Sequence, residues 1–293
     1  ILTRLNPFPE PYLLVVKELK SLKPFFSGPE LAREMAGRGW KVGIMARRVE
    51  LLEQLRAEYP REITVAAIDL RHTQDSIERF RALADAMGGI DTVVLNAGIH
   101  LPNLHFDWKI DQEVLQVNTV GFIALANAAA VIFLKQSHGH IVGISSIAGT
   151  RGSGKSPVYS ASKACVSNYL EGLRQRLLNT NIRVTDIRPG FVLTDMLQNR
   201  KHLLWAADAK TAARQITGVI CSGNKVAYVT RRWRWVACFY KIIPQFLYDW
   251  IYGRYITPKL VKAAQNERSM AEKNAGEKTN ESLSGKEFQD TTF

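Results

Sequence analysis

The chain is 293 residues long, enough for one large α/β domain or two small ones, and its 46% hydrophobic content and mean hydropathy of −0.11 fit a soluble globular protein. A formal net charge of +12 points to an anionic ligand, a nucleic acid or an anionic membrane surface, set against the plain alternative of solvated lysines and arginines. Cys165, Cys221 and Cys238 are odd in number, scattered and without metal spacing, which argues against a disulfide framework and fits free thiols in a reducing, cytoplasmic setting.

Residues 1–30 are an atypical N-terminal segment. No cleavable signal sequence is legible there, and the opening Ile reads as a missing start. Tyr12-Leu-Leu-Val-Val16 suits a strand, while Leu13, Val16, Leu19 and Leu22 equally suit a helix ending before Pro24. Ser27-Gly28-Pro29-Glu30 is a helix start, and residues 31–37 are the helix, closed by Gly37 and Gly39. From Trp40 onward short apolar strands alternate with helices. Strands are predicted over 41–45, 63–68, 91–95, 140–144, 182–187 and 225–229. Helices are predicted over 49–59, 73–87, 112–136, 157–178 and 208–221. This alternation specifies a parallel sheet covered on both faces, a doubly wound Rossmann-type α/β domain over residues 31–230.

Ligands of such sheets bind at the carboxyl ends of the strands. Polar or glycine-containing groups follow every strand: Ala46-Arg47-Arg48, Asp69, Asn96-Ala97-Gly98, Ser145-Ser146, and Pro189-Gly190-Phe191-Val192-Leu193-Thr194. Together they outline one crevice. In the helix that follows Ser146, Tyr159 and Lys163 are four residues apart and share a face. A phenol beside an ammonium is a proton-transfer pair, and the positive charge is expected to lower the Tyr159 pKa from about 10. A lone Y-x-x-x-K is common by chance, and a surface tyrosine with a solvated lysine is the plain alternative.

Taken jointly, these motifs resemble the short-chain dehydrogenase/reductase family over about residues 31–230. Asn96-Ala97-Gly98 resembles its N-A-G, Val117-Asn118 with Gly121 its helix asparagine, and Ser146 lies 13 residues before Tyr159, at the spacing of its catalytic serine. Pro189-Gly190, Val192 and Thr194 resemble the segment beside the nicotinamide. The resemblance implies Tyr159 as general acid or base, and Lys163 as the group that tunes it and bonds the nicotinamide ribose. It implies Ser146 as donor to the substrate oxygen and Asn118 as support for a proton relay. Ser145 is the neighbouring candidate, and the spacing favours Ser146. Members that use NAD(H) tend to carry an acid after the second strand. Here Ala46 is followed by Arg47 and Arg48, which suit a 2′-phosphate, so NADP(H) is expected. Homodimers or homotetramers through the two long helices are also implied.

One departure is serious. The family carries T-G-x-x-x-G-x-G between its first strand and first helix, where backbone amides hold the coenzyme pyrophosphate. Here the chain reads Lys23-Pro-Phe-Phe-Ser-Gly-Pro29, and only Gly28 survives. Two readings compete. Either Tyr12 to Val16 replaces the first strand with a different loop, or residues 1–28 derive from a misread start, a shifted frame or an alternative exon. The abruptness of the break favours the second.

Gly149-Thr-Arg-Gly-Ser-Gly-Lys-Ser156 matches the phosphate-binding G-x-x-x-x-G-K-[ST]. The resemblance already accounts for this stretch as the loop between Ser146 and Tyr159, and no carboxylate for Mg²⁺ follows an apolar strand. No metal site is expected, with His138 and His140 structural or solvated. Residues 231–265 form a basic, aromatic extension, interrupted by Lys241, Pro244 and Asp249 and too polar to span a bilayer. It suits a membrane interface, a lid over an apolar substrate, or a helix pair packed on the body. Such a mix also occurs in nucleic-acid binders, but no other feature supports that partner. Residues 266–293 are polar and expected to be disordered. The expected function is an NADP(H)-dependent oxidoreductase for a hydroxyl or carbonyl on an apolar small molecule. The alternatives are a non-catalytic protein of this fold, impaired in coenzyme binding, and a P-loop nucleotide hydrolase.

Overall fold

A computed structural model describes residues 12–16, 28–190, 192–193, 207–266 and 269. In chain order the elements are β1 (Tyr12–Val16), α1 (Gly28–Ala36), β2 (Lys41–Ala46), α2 (Val49–Glu58), β3 (Ile63–Ala67), α3 (Thr73–Ala86), β4 (Thr92–Leu95), α4 (Trp108–Leu115) and α5 (Phe122–Gln136). These are followed by β5 (Gly139–Ile144), α6 (Pro157–Arg176), β6 (Ile182–Pro189), β7 (Val192–Leu193), β8 (Ala207–Asp208), α7 (Ala209–Ser222), β9 (Val226–Val229), α8 (Trp233–Ile242) and α9 (Gln245–Ile251). Seven strands form one parallel sheet in the order β3-β2-β1-β4-β5-β6-β9, and β7 and β8 pair separately. This is the doubly wound order, whose reversal between β1 and β4 opens a crevice at the strand ends.

The first strand settles the ambiguity of the N-terminal apolar run. Tyr12–Val16 is extended, not helical, and pairs with β2 on one side and β4 on the other. Its side chains alternate between the layers, as a strand requires. Leu14 joins the core under α3, α5 and α6, while Leu13 and Val15 join the core under α1, α2 and α7. Of the two readings of the N-terminus, this pairing fits the one in which Tyr12 to Val16 takes the place of the first strand. An apolar run with β-branched residues, buried from both faces, is what a central parallel strand demands. Residues 17–27, which hold the altered glycine loop, lie outside the described residues.

The long helix begins at Trp108, four residues before the predicted start at 112. Asp107 caps it, accepting from the Lys109 N–H at 2.9 Å. Between α4 and α5 the winding loosens into a π-helical segment, Gln116–Gly121, that carries Asn118. Gly121 is needed at its end because a Cβ there would stand 2.8 Å from Leu70 Cβ. By length and composition the span Trp108–Gln136 could cross a membrane. In the structure it is a core helix, with Leu125, Ala126, Ala129 and Phe133 buried against the sheet.

His140 is structural and His138 is partly solvated, within the structural or solvated role expected of both. His140 is buried with Nε2 2.8 Å from the Thr185 hydroxyl, and His138 lies 3.4 Å from Asp91. The three cysteines are exposed and unpaired. The C-terminal extension is helical through residue 266, and the polar stretch expected to be disordered lies outside the described residues apart from 266 and 269.

Candidate active site

The carboxyl ends of β4 and β5 and the first turn of α6 bring the predicted residues together. Asn118 is fully buried. Its Oδ1 accepts from the Ile99 N–H at 2.7 Å, and its Nδ2 donates to the Ile99 carbonyl at 2.9 Å and to Ser162 Oγ at 3.1 Å. One amide thus ties the π-helical segment to the loop after β4 and to α6. Gly98 lies beside it. A Cβ on Gly98 would stand 2.9 Å from Lys163 Nζ and press that ammonium aside.

Pro157 starts α6 at its first turn, and Ser156 precedes it. Tyr159 and Lys163 follow on one face. The buried Lys163 ammonium donates to the Ile144 carbonyl at the end of β5 at 3.1 Å. Ser146 is hydrogen-bonded to the Tyr159 hydroxyl. Its Oγ also caps the turn Ile147–Thr150, accepting from the Ala148 N–H at 3.1 Å. Ser145 points away, donating to Asp186 Oδ1 at 2.5 Å. The geometry therefore separates the two serines as the spacing did. Gly149 allows the turn to lie on α6, since a Cβ there would come within 2.6 Å of the Lys163 backbone carbonyl carbon.

The charge balance corrects one expectation. Tyr159 is not lowered by Lys163. Burial pushes its pKa up to about 12, and the Ser146 hydrogen bond offsets only part of this. Lys163 is itself pulled down to about 8 by burial, with the Asp186 carboxylate acting in the opposite sense. Desolvation dominates at Tyr159 because both groups are buried and the ammonium is turned to the β5 carbonyl. Asp186 is buried beside Arg188, with 2.7 Å between Nε and Oδ2, and reaches the site through Ser145.

Along the opposite rim, Arg47 and Arg48 follow β2, and Asp69 follows β3. Arg71 clamps Asp69, with Nε 3.0 Å from both carboxylate oxygens, and holds its pKa below the usual carboxylate range, with Arg47 adding to the effect. Past β6, the Gly190 N–H donates to the Val229 carbonyl at 2.7 Å, and a Cβ on Gly190 would overlap the Trp233 indole at 2.1 Å. Val192 lies in β7, paired with Ala207. Thr194 falls outside the described residues. Gly28 is buried as the first residue of α1.

Two features bear on a dinucleotide. Asn96 is 8% exposed, and both atoms of its carboxamide lack a hydrogen-bond partner among the described residues. Buried amides are almost always paired, so a ligand over the β4 end suits it. Lys163 has further N–H groups beyond the one given to Ile144, facing the Gly98 gap. These residues fit a nicotinamide coenzyme.

The G-x-x-x-x-G-K-S stretch is no phosphate cradle, since the N–H groups of Gly149, Ser153 and Ser156 are spent on the Ser146 carbonyl at 3.1 Å, Ser160 Oγ at 3.2 Å and the Ser153 carbonyl at 3.1 Å. Its Gly152 carbonyl accepts from Tyr248 at 2.6 Å, and its Ser153 hydroxyl bonds Tyr252 at 2.9 Å. Among the described residues no group of acids, histidines or cysteines could hold a metal.

Several neighbours were not legible. His100 sits edge-on to the Tyr159 ring at 4.8 Å, with Nε2 2.5 Å from Ser156 Oγ. Its place two residues after Gly98 was the only signal. Ser162 and Asp186 carried none beyond lying next to motif residues.

The family model described as short chain dehydrogenase matches residues 28–204. An uncharacterized oxidoreductase of Myxococcus xanthus is 37% identical over 179 residues, covering 58% of this chain and 69% of that protein. Among solved structures, ElxO with NADP bound superposes with a TM-score of 0.66 at 21% identity, covering 75% of this chain and 96% of that one. The closed form of serine dehydrogenase complexed with NADP⁺ gives a TM-score of 0.65 at 25% identity, over 74% and 93% of the two chains.

Proposed function

The chain belongs to the short-chain dehydrogenase family of oxidoreductases, and from that premise we propose that it interconverts a hydroxyl and a carbonyl group on an apolar small molecule with NADP(H). The observation that carries this reading is the Ser146–Tyr159 hydrogen bond, with Lys163 buried one turn further along α6. When bound, NADPH would supply a hydride for the carbonyl carbon. Tyr159 gives its proton to the carbonyl oxygen, and Ser146 donates a hydrogen bond to that same oxygen as negative charge develops there. Lys163, held at the Ile144 carbonyl beside the Gly98 gap, would bond the nicotinamide ribose and lend its positive charge to the site. Asn118 supports the proton relay by holding Ile99 and Ser162, and hence the spacing between β4 and α6. In the reverse direction Tyr159 takes the proton from the alcohol. Asn96, Ala97, Gly98, Pro189, Gly190, Val192 and Thr194 would line the nicotinamide half of the coenzyme, and Gly28, Arg47, Arg48 and Asp69 the adenosine and phosphate half. Assembly as a dimer or tetramer would use α5, where Val131 and Leu134 are exposed, together with α6.

The experiment is a pH profile of carbonyl reduction. A tyrosine raised to about 12 is fully protonated near neutrality, the form that donates. A lysine lowered to about 8 loses its charge above that pH. Reductive kcat/KM should therefore be flat below about pH 7.5 and fall as Lys163 deprotonates. A rate that climbs steadily through pH 9 would contradict the pairing.

Coenzyme choice has its own test. Each guanidinium that meets a 2′-phosphate contributes roughly 1.5–3 kcal/mol. Arg47→Ala should reduce the preference for NADPH over NADH by at least about tenfold, measured as the ratio of kcat/KM values. An unchanged ratio would remove Arg47 from the account.

A further inference from the structure

The helices α8 and α9 meet the body through one face only. On the inner side Trp233 packs on Gly190 and Ile147. The Arg151 guanidinium reaches the carbonyls of Tyr240 at 3.0 Å and Ile243 at 2.6 Å, and lies 4.1 Å over the Tyr248 ring. On the outer side Trp235, Phe239 and Ile242 recur at helical spacing, with exposures of 67%, 54% and 75%. Phe246 and Trp250 continue the stripe on α9, 76% and 57% exposed. Scattered exposed apolar residues are ordinary, but a run at i, i+4 and i+7 prolonged onto the next helix is a face made to be covered.

The charges of this segment say by what. Arg231, Arg232, Arg234, Lys241, Arg254, Lys259 and Lys262 are all exposed, and Asp249 is the only acid in 231–262. Arg234 lies 5.2 Å over the Trp235 ring, and Arg254 5.9 Å from that of Tyr255. A second copy docking through this face would bring like charges together. An anionic lipid surface takes both features at once, the aromatic stripe at the headgroup boundary and the arginines at the phosphates.

We propose that the outer face of α8–α9 docks this protein on anionic lipid bilayers. Docking is a property of this face alone. Its value to catalysis rests on the reading of an apolar substrate: Arg151 joins these helices to the loop after Ser146, so a substrate dissolved in lipid would arrive beside the site.

The test is co-sedimentation of the full chain with vesicles of phosphatidylcholine alone and of phosphatidylcholine with phosphatidylserine. Binding should be at least about tenfold stronger to the mixed vesicles and should weaken as salt is raised. The triple change Trp235→Ser, Phe239→Ser, Phe246→Ser should abolish it. Phe246→Ser alone, at the most exposed position, should weaken it severalfold without disturbing the fold, as circular dichroism would check. Wild type left in the supernatant with both vesicles would overturn the proposal. So would equal binding to both, or a dimer on gel filtration that the triple variant converts to monomer while vesicle binding is absent. Because sedimentation reads no turnover, failure here leaves the oxidoreductase reading standing, and failure of that reading leaves docking intact.

Discussion

Tyr159→Phe lowers turnover by at least about a hundredfold, the scale on which a positioned general acid acts. The ring stays, and so does its edge contact with His100 at 4.8 Å. Only the hydroxyl that bonds Ser146 is lost. Coenzyme affinity should change little, since Lys163 holds its place through Ile144 and the Gly98 gap rather than through Tyr159. Steady-state kinetics, with coenzyme titrated separately by fluorescence, check both halves. Turnover near wild type would remove Tyr159 from the chemistry.

The second large effect lies at the other end of the crevice. Replacing residues 17–27 with a T-G-x-x-x-G-x-G turn should tighten NADPH binding by about a hundredfold to ten-thousandfold. That is the range for regaining two charge-assisted backbone bonds at roughly 1.5–3 kcal/mol each. As written, α1 offers the pyrophosphate little. Pro29 has no N–H to give, and Glu30 places a carboxylate in the first turn, paired with Arg33 at 2.8 Å. The graft need not touch Tyr12–Val16, which already holds the central position in the sheet. Fluorescence titration of the two chains with NADPH reads the difference. Micromolar affinity in the ungrafted chain would mean that the stretch before Gly28 forms a working phosphate loop of another kind.

What the sequence disclosed, and what it hid, follows from the range of each signal. The strands β2 to β6 and β9 were legible because parallel strands buried on both faces are short apolar runs bounded by turn residues, while the two-residue pair β7 and β8 is too short to carry a pattern. Asn118, Ser146, Tyr159 and Lys163 were legible because their spacing is fixed along the chain. β1 was ambiguous, since five apolar residues carry no period that separates helix from strand, and its partners at β2 and β4 lie far along the sequence. The π-helical winding at Gln116–Gly121 was hidden because the hydrophobic pattern through it reads as ordinary helix, and the close approach of Gly121 to Leu70 is a contact distant in sequence. The Tyr159 pKa was misjudged for a related reason. Spacing showed the ammonium four residues on, but only the fold showed that both groups are buried and that Lys163 turns to the β5 carbonyl. Arg151 gave no local sign of its role, which is to grip helices that lie about 90 residues later.

The most direct test is isotope transfer. The loop-grafted chain and the native chain at high coenzyme concentration are each given NADPH deuterated at C4, together with a panel of apolar ketones. The account predicts deuterium at the carbinol carbon of the product from both, with a far lower coenzyme requirement for the graft and label accumulating at least about a hundredfold more slowly with Tyr159→Phe. A grafted chain that binds NADPH tightly yet transfers no label to any ketone in the panel, or transfers it equally well without the Tyr159 hydroxyl, would contradict it.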